Sequence, residues 1–362
     1  LTFHLDMKLL ATTIPEMIME SGEADAVIVH GAMNSGFMKV AYPHVREILG
    51  NIPLETFLEL NATDMTAAVE LPRKYGLPLV VSSFFGREDN NTSFYMDHDV
   101  PVFNSPEKAA RGMVSLLRHL EIRGRKTVER SPLPPESPEA GELIRTALAE
   151  GQKALDEHQS KRILACYGVP IVREQIAETE EGTVKIADEI GFPVVAKACT
   201  WEILHKSGKG LIALNIRTKA ALRDAVRRIR AAAGRETPIL IQEMVAGERE
   251  FVAGMIRFPG FGPCVLFGLG GVFTEALNDA SFRAAPLGPS EAEEMLTDIR
   301  AKALLGEFRG LPAVDSTALA TILQAVGTIA LRHPQIAEMD LNPIILSGNR
   351  PVVADALFVL KA

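Results

Sequence analysis

The residues best suited to chemistry lie in one stretch: Gly268-Leu269-Gly270-Gly271-Val272-Phe273-Thr274-Glu275, then Asn278-Asp279, then Ser281-Phe282-Arg283-Ala284-Ala285-Pro286-Leu287. The apolar segment 264–267 runs into these glycines. Glycine lets a backbone approach a phosphate closely, because no Cβ stands in the way. A dinucleotide fingerprint or a P-loop would pass from such glycines straight into a helix. Here the sequel alternates and turns at Asn278-Asp279, which predicts a hairpin. The pattern predicts a phosphate site built on a sheet, with Glu275 and Arg283 as the charged groups beside it.

Four further groups bear on the same chemistry. Lys197 stands inside the apolar run Pro193-Val194-Val195-Ala196-Lys197-Ala198. Such a lysine either meets an anion or reaches past the edge of a sheet to water, and position alone does not choose between the two. Gln242-Glu243-Met244-Val245 ends one predicted strand and Glu250 opens the next. A strand end can offer backbone groups to an adenine edge and a carboxylate seven residues on can hold ribose, although strand-ending Glu residues are commonly solvated. Asp340, Asn342 and Asp355 are oxygen donors on two adjacent predicted strands, with Asp340 and Asn342 sharing a face by the period of two. That donor set suits Mg²⁺ shared with phosphates; the competing reading is a turn Asn before Pro343 and a paired Asp, and the apolar setting of Asp355 favours the metal. His205-Lys206-Ser207-Gly208-Lys209-Gly210 is an anion-friendly loop whose His could accept a phosphoryl group or simply be solvated. His30, at the end of another apolar run, reads as an ordinary strand-end residue.

The elements that must carry these groups fall into two regions. In the first, apolar runs at 26–30, 77–83 and 100–103 alternate with helical patterns, which predicts a parallel sheet. Its last helix has Ser105 as cap and Pro106 at its first position, with Ala110, Val114 and Leu117 expected on one side. The segment Ser131-Pro132-Leu133-Pro134-Pro135-Glu136-Ser137-Pro138 reads as a linker. In the second region, helices are expected at 160–167, from Thr179 to Gly191, at 219–233 and at 316–332, the last with Leu319, Ile322, Leu323, Val326 and Ile329 on one stripe. Strands are expected at 193–198, 211–216, 239–245, 251–257, 341–346 and 351–356.

The 362 residues carry a net charge of −8, four Tyr and one Trp, which disfavours a general nucleic-acid binder. Hydrophobic residues make up 47% and charged residues 23%, values ordinary for a globular protein. Cys166, Cys199 and Cys264 are widely spaced and odd in number, which speaks against a disulfide framework and for a reducing, cytoplasmic setting. No apolar run is long enough to predict a membrane span. The sequence opens on Leu1 as though in the middle of a domain, so it is expected to be a piece of a longer polypeptide.

Together these residues resemble the ATP-grasp domain of NDP-forming acyl-CoA synthetases, as in ADP-forming acetate–CoA ligase, a relative of succinyl-CoA synthetase. The carrying stretches are Tyr167-Gly168-Val169-Pro170, Pro193-Val194-Val195-Ala196-Lys197, Ile203-Leu204-His205-Lys206-Ser207, Gln242-Glu243-Met244-Val245, the glycine hairpin with Ser281-Phe282-Arg283-Ala284-Ala285-Pro286-Leu287, and Glu338-Met339-Asp340-Leu341-Asn342-Pro343. They run in family order over 151–361. Residues 20–125 resemble, by pattern, the small CoA-ligase domain that precedes the ATP-grasp part in fused members. The loop after His205 differs from the family's usual Asp-Val-Gly-Gly: here it is Gly208-Lys209-Gly210-Leu211, without the carboxylate.

The resemblance implies an α/β chain with a flavodoxin-like parallel α/β domain at 1–126, a Pro-rich linker at 127–150, and an ATP-grasp domain of two α+β subdomains at 151–362. It implies ATP or ADP with Mg²⁺ as cofactors, and CoA in the full enzyme. Lys197 would hold phosphate, Glu243, Met244 and Val245 the adenine, Glu250 the ribose, and Gly270 and Gly271 the phosphates beside Glu275 and Arg283. Asn342 and Asp355 would bind Mg²⁺, and His205 would serve the phosphoryl relay. The implied activity is that of the nucleotide-binding part of an ADP-forming acyl-CoA synthetase, an acid–thiol ligase working through acyl phosphate and phosphohistidine. CoA and a carboxylic acid would be bound by N-terminal domains outside this chain, and a homo-oligomer is expected. The competing readings are a regulatory part of a lysine acetyltransferase, a carboxylate–amine ligase, and a non-catalytic nucleotide-binding module.

Overall fold

Val27–His30 (β1) alternates buried and exposed residues and pairs in parallel with Leu79–Ser82 (β2), which is buried along its whole length. β2 pairs in parallel with Val102–Phe103 (β3), giving the expected parallel sheet in the order β1-β2-β3. The computed structural model describes residues 8–31, 35–60, 62, 64–124, 132–202, 209–270 and 279–361. They divide into two units, Leu1–Thr127 and Val128–Ala362. In the first unit the sheet is accompanied by a π-helical turn at Leu9–Thr13 and by α1 (Ile14–Ser21), α2 (Ser35–Val45), α3 (Leu54–Leu60), α4 (Thr66–Tyr75), α5 (Asn90–Asp97) and α6 (Pro106–Gly124). Asp89 caps α5 by accepting from Thr92 N, and its other oxygen accepts from Gly36 N of α2 at 2.7 Å. α6 begins as expected, with Ser105 Oγ accepting from Lys108 N. Its buried face, however, is Ala109 and Met113, packed with Val80, while Val114 and Leu117 are exposed. Gly112, flush against the ring of Phe103, fixes that rotation.

The second unit begins earlier than a linker to 150 would allow. Ser137 caps α7 (Pro138–Ala149), whose Ala140, Ile144 and Ala147 are buried in the core. Proline content marks the chain only up to Pro138. Beyond it a cap, a proline at the first helical position and an apolar stripe make a helix. The unit continues through β4 (Ala154–Leu155), α8 (Glu157–Cys166), β5 (Glu174–Ala177), α9 (Glu180–Ile190), β6 (Val194–Ala198), β7 (Ile212–Ile216), α10 (Lys219–Ala233) and β8 (Ile239–Glu243). It is completed by β9 (Glu250–Phe258), β10 (Gly262–Leu269), β11 (Ala280–Ala284), α12 (Pro289–Asp298), a 3₁₀ turn at Arg300–Leu305, α13 (Ser316–Arg332), β12 (Ile336–Ser347), β13 (Arg350–Val353) and β14 (Leu357–Leu360).

These strands form two antiparallel sheets, which match the expected pair of α+β subdomains. The small sheet has the order β5-β8-β6-β7. One of its faces (Val194, Ala196, Ala198, Ile239, Ile241) packs against Leu222, Val226 and Ile229 of α10. The large sheet has the order β11-β10-β9-β12-β14-β4, with β13 also on β12. Its row Val265, Met255 and Met339 lies in one core with α12 and α13, and the stripe Leu319, Ile322, Leu323, Val326 and Ile329 is buried there. Each sheet thus spends one face on helices. The other faces carry the polar residues of interest.

Candidate nucleotide site

α8 starts the site. Asp156 caps it in a reciprocal box with Gln159, so the helix begins at Glu157 rather than at 160. Glu157 and Lys161, four residues apart, lie on the same helical face. Such a pair usually lies in water, yet here the side chains are 1% and 0% exposed. Lys161 Nζ donates to Glu157 Oε1 (2.8 Å), Gln242 Oε1 (3.1 Å) and Ala354 O (3.3 Å), and pairs with Glu174. Register explains the meeting: Glu174 is opposite Gln242, and Gln242 opposite Val195, on the face of the small sheet that also carries Lys197.

Lys197 is buried on that same face, the one that α8 packs against. Its Nζ donates to Glu157 Oε1 (2.6 Å), Asp355 Oδ2 (3.0 Å) and Ala354 O (3.2 Å). Burial drives this ammonium toward its neutral form, but the charges of Glu157 and Asp355 outweigh it and hold its pKa above the ordinary lysine value. Lys197 is therefore a charged group, buried and paired. Of the two readings left open by the sequence, the anion holds: the lysine does not reach bulk water, and the anions it meets here are side chains of the protein.

The carbonyl of Ala354 is available because of Pro343. β13 and β14 lie along one edge of β12 in a single register, Ile344 opposite Val353 and Asp340 opposite Leu357. Ala354 N donates to Pro343 O at 3.0 Å. In an intact antiparallel pair the opposite residue returns the bond. Proline has no N–H to return, so the ladder breaks and Ala354 O is left to the two lysines. Asp355 therefore sits in the link between β13 and β14, not within a strand at 351–356. The same register places Asn342 level with Asp355, and Asn342 is exposed. A partly exposed carboxylate and an amide oxygen on adjacent backbones suit an oxygen-loving divalent cation that completes its shell with phosphates and water. No group of three or more His, Cys, Asp or Glu able to hold a metal occurs among the described residues, so a cation here would depend on such outside ligands.

The large sheet supplies the other end. Glu250, Val252 and Gly254 alternate onto the helix-free face that also carries Asp340 and Gly268. Gly270 N donates to Glu250 O at 2.9 Å, and a Cβ on Gly270 would lie 2.8 Å from the backbone of Phe251. β10 and β11 pair with Phe267 opposite Ser281 and Gly268 opposite Ala280, so the flanks form the expected hairpin. Gly271, Glu275 and His205 lie outside the described residues.

Arg283 is placed differently from the expectation. It is opposite Val265, on the face packed against α12, and its guanidinium pairs with Asp298 and stands 3.9 Å from Glu294. Strand alternation thus turns it to the side away from Asn342, where it braces a helix. Glu243 accepts from Arg173 N (2.9 Å) and Arg173 Nε (2.8 Å), while Glu243 N donates to Arg173 O and Met244 N to Pro193 O. Two of the three hinge amides are thus engaged, and among the hinge amides a purine edge is left with that of half-buried Val245. In the first unit His30 Nδ1 lies 3.2 Å from Ser82 Oγ and edge-on to Phe84. Sequence reasoning missed Glu157, Lys161 and Glu174. The capping box Asp156-x-x-Gln159 was the available signal for a helix starting early enough to carry the first two.

Two antiparallel sheets with helices on their outer faces and a paired lysine between them define a nucleotide-binding class, and comparison with known proteins agrees. The family described as ATP-grasp domain matches residues 146–360. The chain is 41% identical over 227 residues to the acetate–CoA ligase [ADP-forming] I subunit beta of Pyrococcus furiosus, covering 61% of this chain and 97% of that subunit. It is 33% identical over 288 residues to the acetate–CoA ligase [ADP-forming] I of Archaeoglobus fulgidus, covering 77% of this chain and 42% of that longer protein. Among solved structures, acetyl-coenzyme A synthetase 1 of Ca. Korarchaeum cryptofilum, in complex with coenzyme A and Mg-AMPPCP and with its phosphohistidine segment pointing towards the nucleotide binding site, matches with a TM-score of 0.56 and 39% identity. That match covers 61% of this chain and all of the matched chain. The chain belongs to the ATP-grasp family, in the branch of ADP-forming acetate–CoA ligase beta subunits.

Proposed function

We propose that this chain is the nucleotide-binding part of an ADP-forming acyl-CoA synthetase, in which acyl-CoA, ADP and phosphate give the acid, CoA and ATP through an acyl phosphate and a phosphohistidine. The observation that carries this reading is the buried Lys197 ammonium paired with Asp355 beside Asn342, where the α8-covered side of the small sheet meets the break in β12. Lys197 would hold a phosphate oxygen of the nucleotide. Glu250 would face the ribose, and the strand end at Val245 the base. Gly270 would leave the backbone clear for phosphate. Asn342 and Asp355 would hold Mg²⁺, which when bound neutralises charge on phosphate oxygens. The first unit would act as the small CoA-ligase domain. CoA and the carboxylic acid would be bound with domains outside this sequence, in a cytoplasmic homo-oligomer. No helix among the described residues is long and apolar enough to cross a membrane.

Calorimetric titration with Mg·ADP tests the reading. Saturable binding to the wild-type chain and a loss of at least tenfold in Lys197→Met are expected, with no turnover by the chain alone. Absence of binding by the wild type would sink it.

A further inference from the structure

Lys197 as it stands has no donor left for a phosphate. An ammonium carries three N–H groups, and Glu157, Asp355 and Ala354 O take all three. One partner must therefore leave before a nucleotide phosphate can be held. The three are not equally free to do so. Glu157 is 1% exposed, and the oxygen it offers Lys197 also accepts from Lys161. The Ala354 carbonyl is part of the backbone, which the Ala354 N bond to Pro343 O holds in place, and it is likewise shared with Lys161. Asp355 is 29% exposed and stands level with Asn342 on the open side.

We propose that Lys197 sits in a fixed seat made by Glu157 and the Ala354 carbonyl, with Lys161 behind both as a positioning residue, and that Asp355 is the exchangeable partner which nucleotide phosphate replaces. Removing Asp355 from Lys197 costs little, because its carboxylate reaches water or a divalent cation at once. Removing Glu157 would strand a buried charge. Two oxygens bridge the two ammonium groups, so Lys161 governs where Lys197 sits without touching the ligand. Formally the cluster holds Lys161 and Lys197 against Glu157, Glu174 and Asp355. Release of Asp355 leaves two cations facing two anions and a donor directed outward. The inference rests on the reading of this site as a nucleotide site.

The test is calorimetric titration of the whole chain with ADP, once in EDTA and once in excess Mg²⁺. The variants are Asp355→Asn, Glu181→Gln and the charge-balanced pair Lys161→Met with Glu174→Gln. Without metal, Asp355→Asn is expected to bind ADP roughly three- to tenfold tighter than the wild type, because Lys197 no longer gives up an ionic partner. In Mg²⁺ that variant should lose the gain the wild type shows. Glu181→Gln removes a negative charge from an exposed position of α9 in the same unit and should change metal-free affinity by less than about twofold. The Lys161/Glu174 double variant is expected to weaken ADP about tenfold in both conditions with its melting temperature held within a few degrees. Metal-free affinity that is unchanged or weaker in Asp355→Asn, or equal tightening in Glu181→Gln, overturns the exchange. Unchanged ADP affinity in the folded double variant overturns the positioning role. The Asp355 result is independent of how the double variant folds, and a wild-type chain that binds no ADP contradicts the function itself rather than the exchange.

Discussion

The two ends of the candidate site are built by opposite means. Around Lys197 every donor is matched: two ammonium groups share Glu157 and a backbone carbonyl, and the side chains involved are almost wholly buried. Around Gly270 the site is made by leaving side chains out. A Cβ on Gly254, Gly268 or Gly270 would meet neighbouring backbone at 2.6 to 2.8 Å. The first end is held by charge and must exchange a partner in order to bind. The second is held by backbone pairing and needs only clearance. Deletions should therefore be costly at the lysine end, and additions at the glycine end.

The sharpest break in that comparison is Lys161→Met. It leaves Glu157 and Glu174 buried around a lost cation, and a destabilisation of about 3–5 kcal/mol is expected in urea unfolding of the chain. Arg162→Ala, one residue on in α8, removes the exposed pair with Glu139 of α7 and should cost no more than about 1 kcal/mol. Equal costs would show that the buried cluster is not special. Gly270→Ala comes next: one methyl pressed on the Phe251 backbone should cost about 1–3 kcal/mol and lower nucleotide affinity. No loss in either would mean that the close approach is not tight.

Arg283→Ala sharpens the comparison further. As a brace to Asp298 and Glu294 it should cost about 1 kcal/mol of stability and leave Mg·ADP affinity within about twofold. A tenfold loss of affinity with stability intact would restore it to the phosphate site. The smallest effect lies away from both ends. His333 is buried, with Nε2 2.8 Å from Tyr167 Oη. Burial lowers its pKa, and the nearby Glu136 charge opposes this only in part. Because the unfolded chain then binds a proton that the folded one resists, stability should fall as pH drops below the unfolded value of about 6.5. The fall ends at the depressed folded value, and its slope cannot exceed about 1.4 kcal/mol per pH unit. Denaturant midpoints from pH 7.5 to 5 should show a shallower fall in His333→Gln, and an unchanged slope would rule this out.

The glycine end was legible in the sequence and the lysine end only in part. Alternation around 264–287 gave the β10–β11 pairing, because strand period and turn residues are local properties. The same alternation, taken with Val265 in the core, would have turned Arg283 toward α12, had the face of the sheet been known in advance. Lys197 stood out for its apolar setting, but its partners come from residues 40 and 158 positions away. Glu157 and Lys161 were missed because an i, i+4 Glu–Lys pair has the look of a solvated helix face. Only the packing of α8 under the small sheet makes it a core element. A linker carried to 150 is too long because it runs up to the start of the resemblance at 151, whereas the prolines end at Pro138 and the cap Ser137 and apolar stripe of α7 follow at once. The break that frees Ala354 O was written in Pro343, yet its meaning needs the register of β12 against β13.

The most direct measurement is calorimetric titration of Mg·ADP into the wild-type chain and Lys197→Met, with both shown to be folded by their melting curves. Saturable binding by the wild type and at least a tenfold weakening in the variant are expected. Equal affinity in the two proteins, or no binding by the folded wild type, would contradict the assignment of Lys197 as the phosphate-holding residue of a nucleotide site.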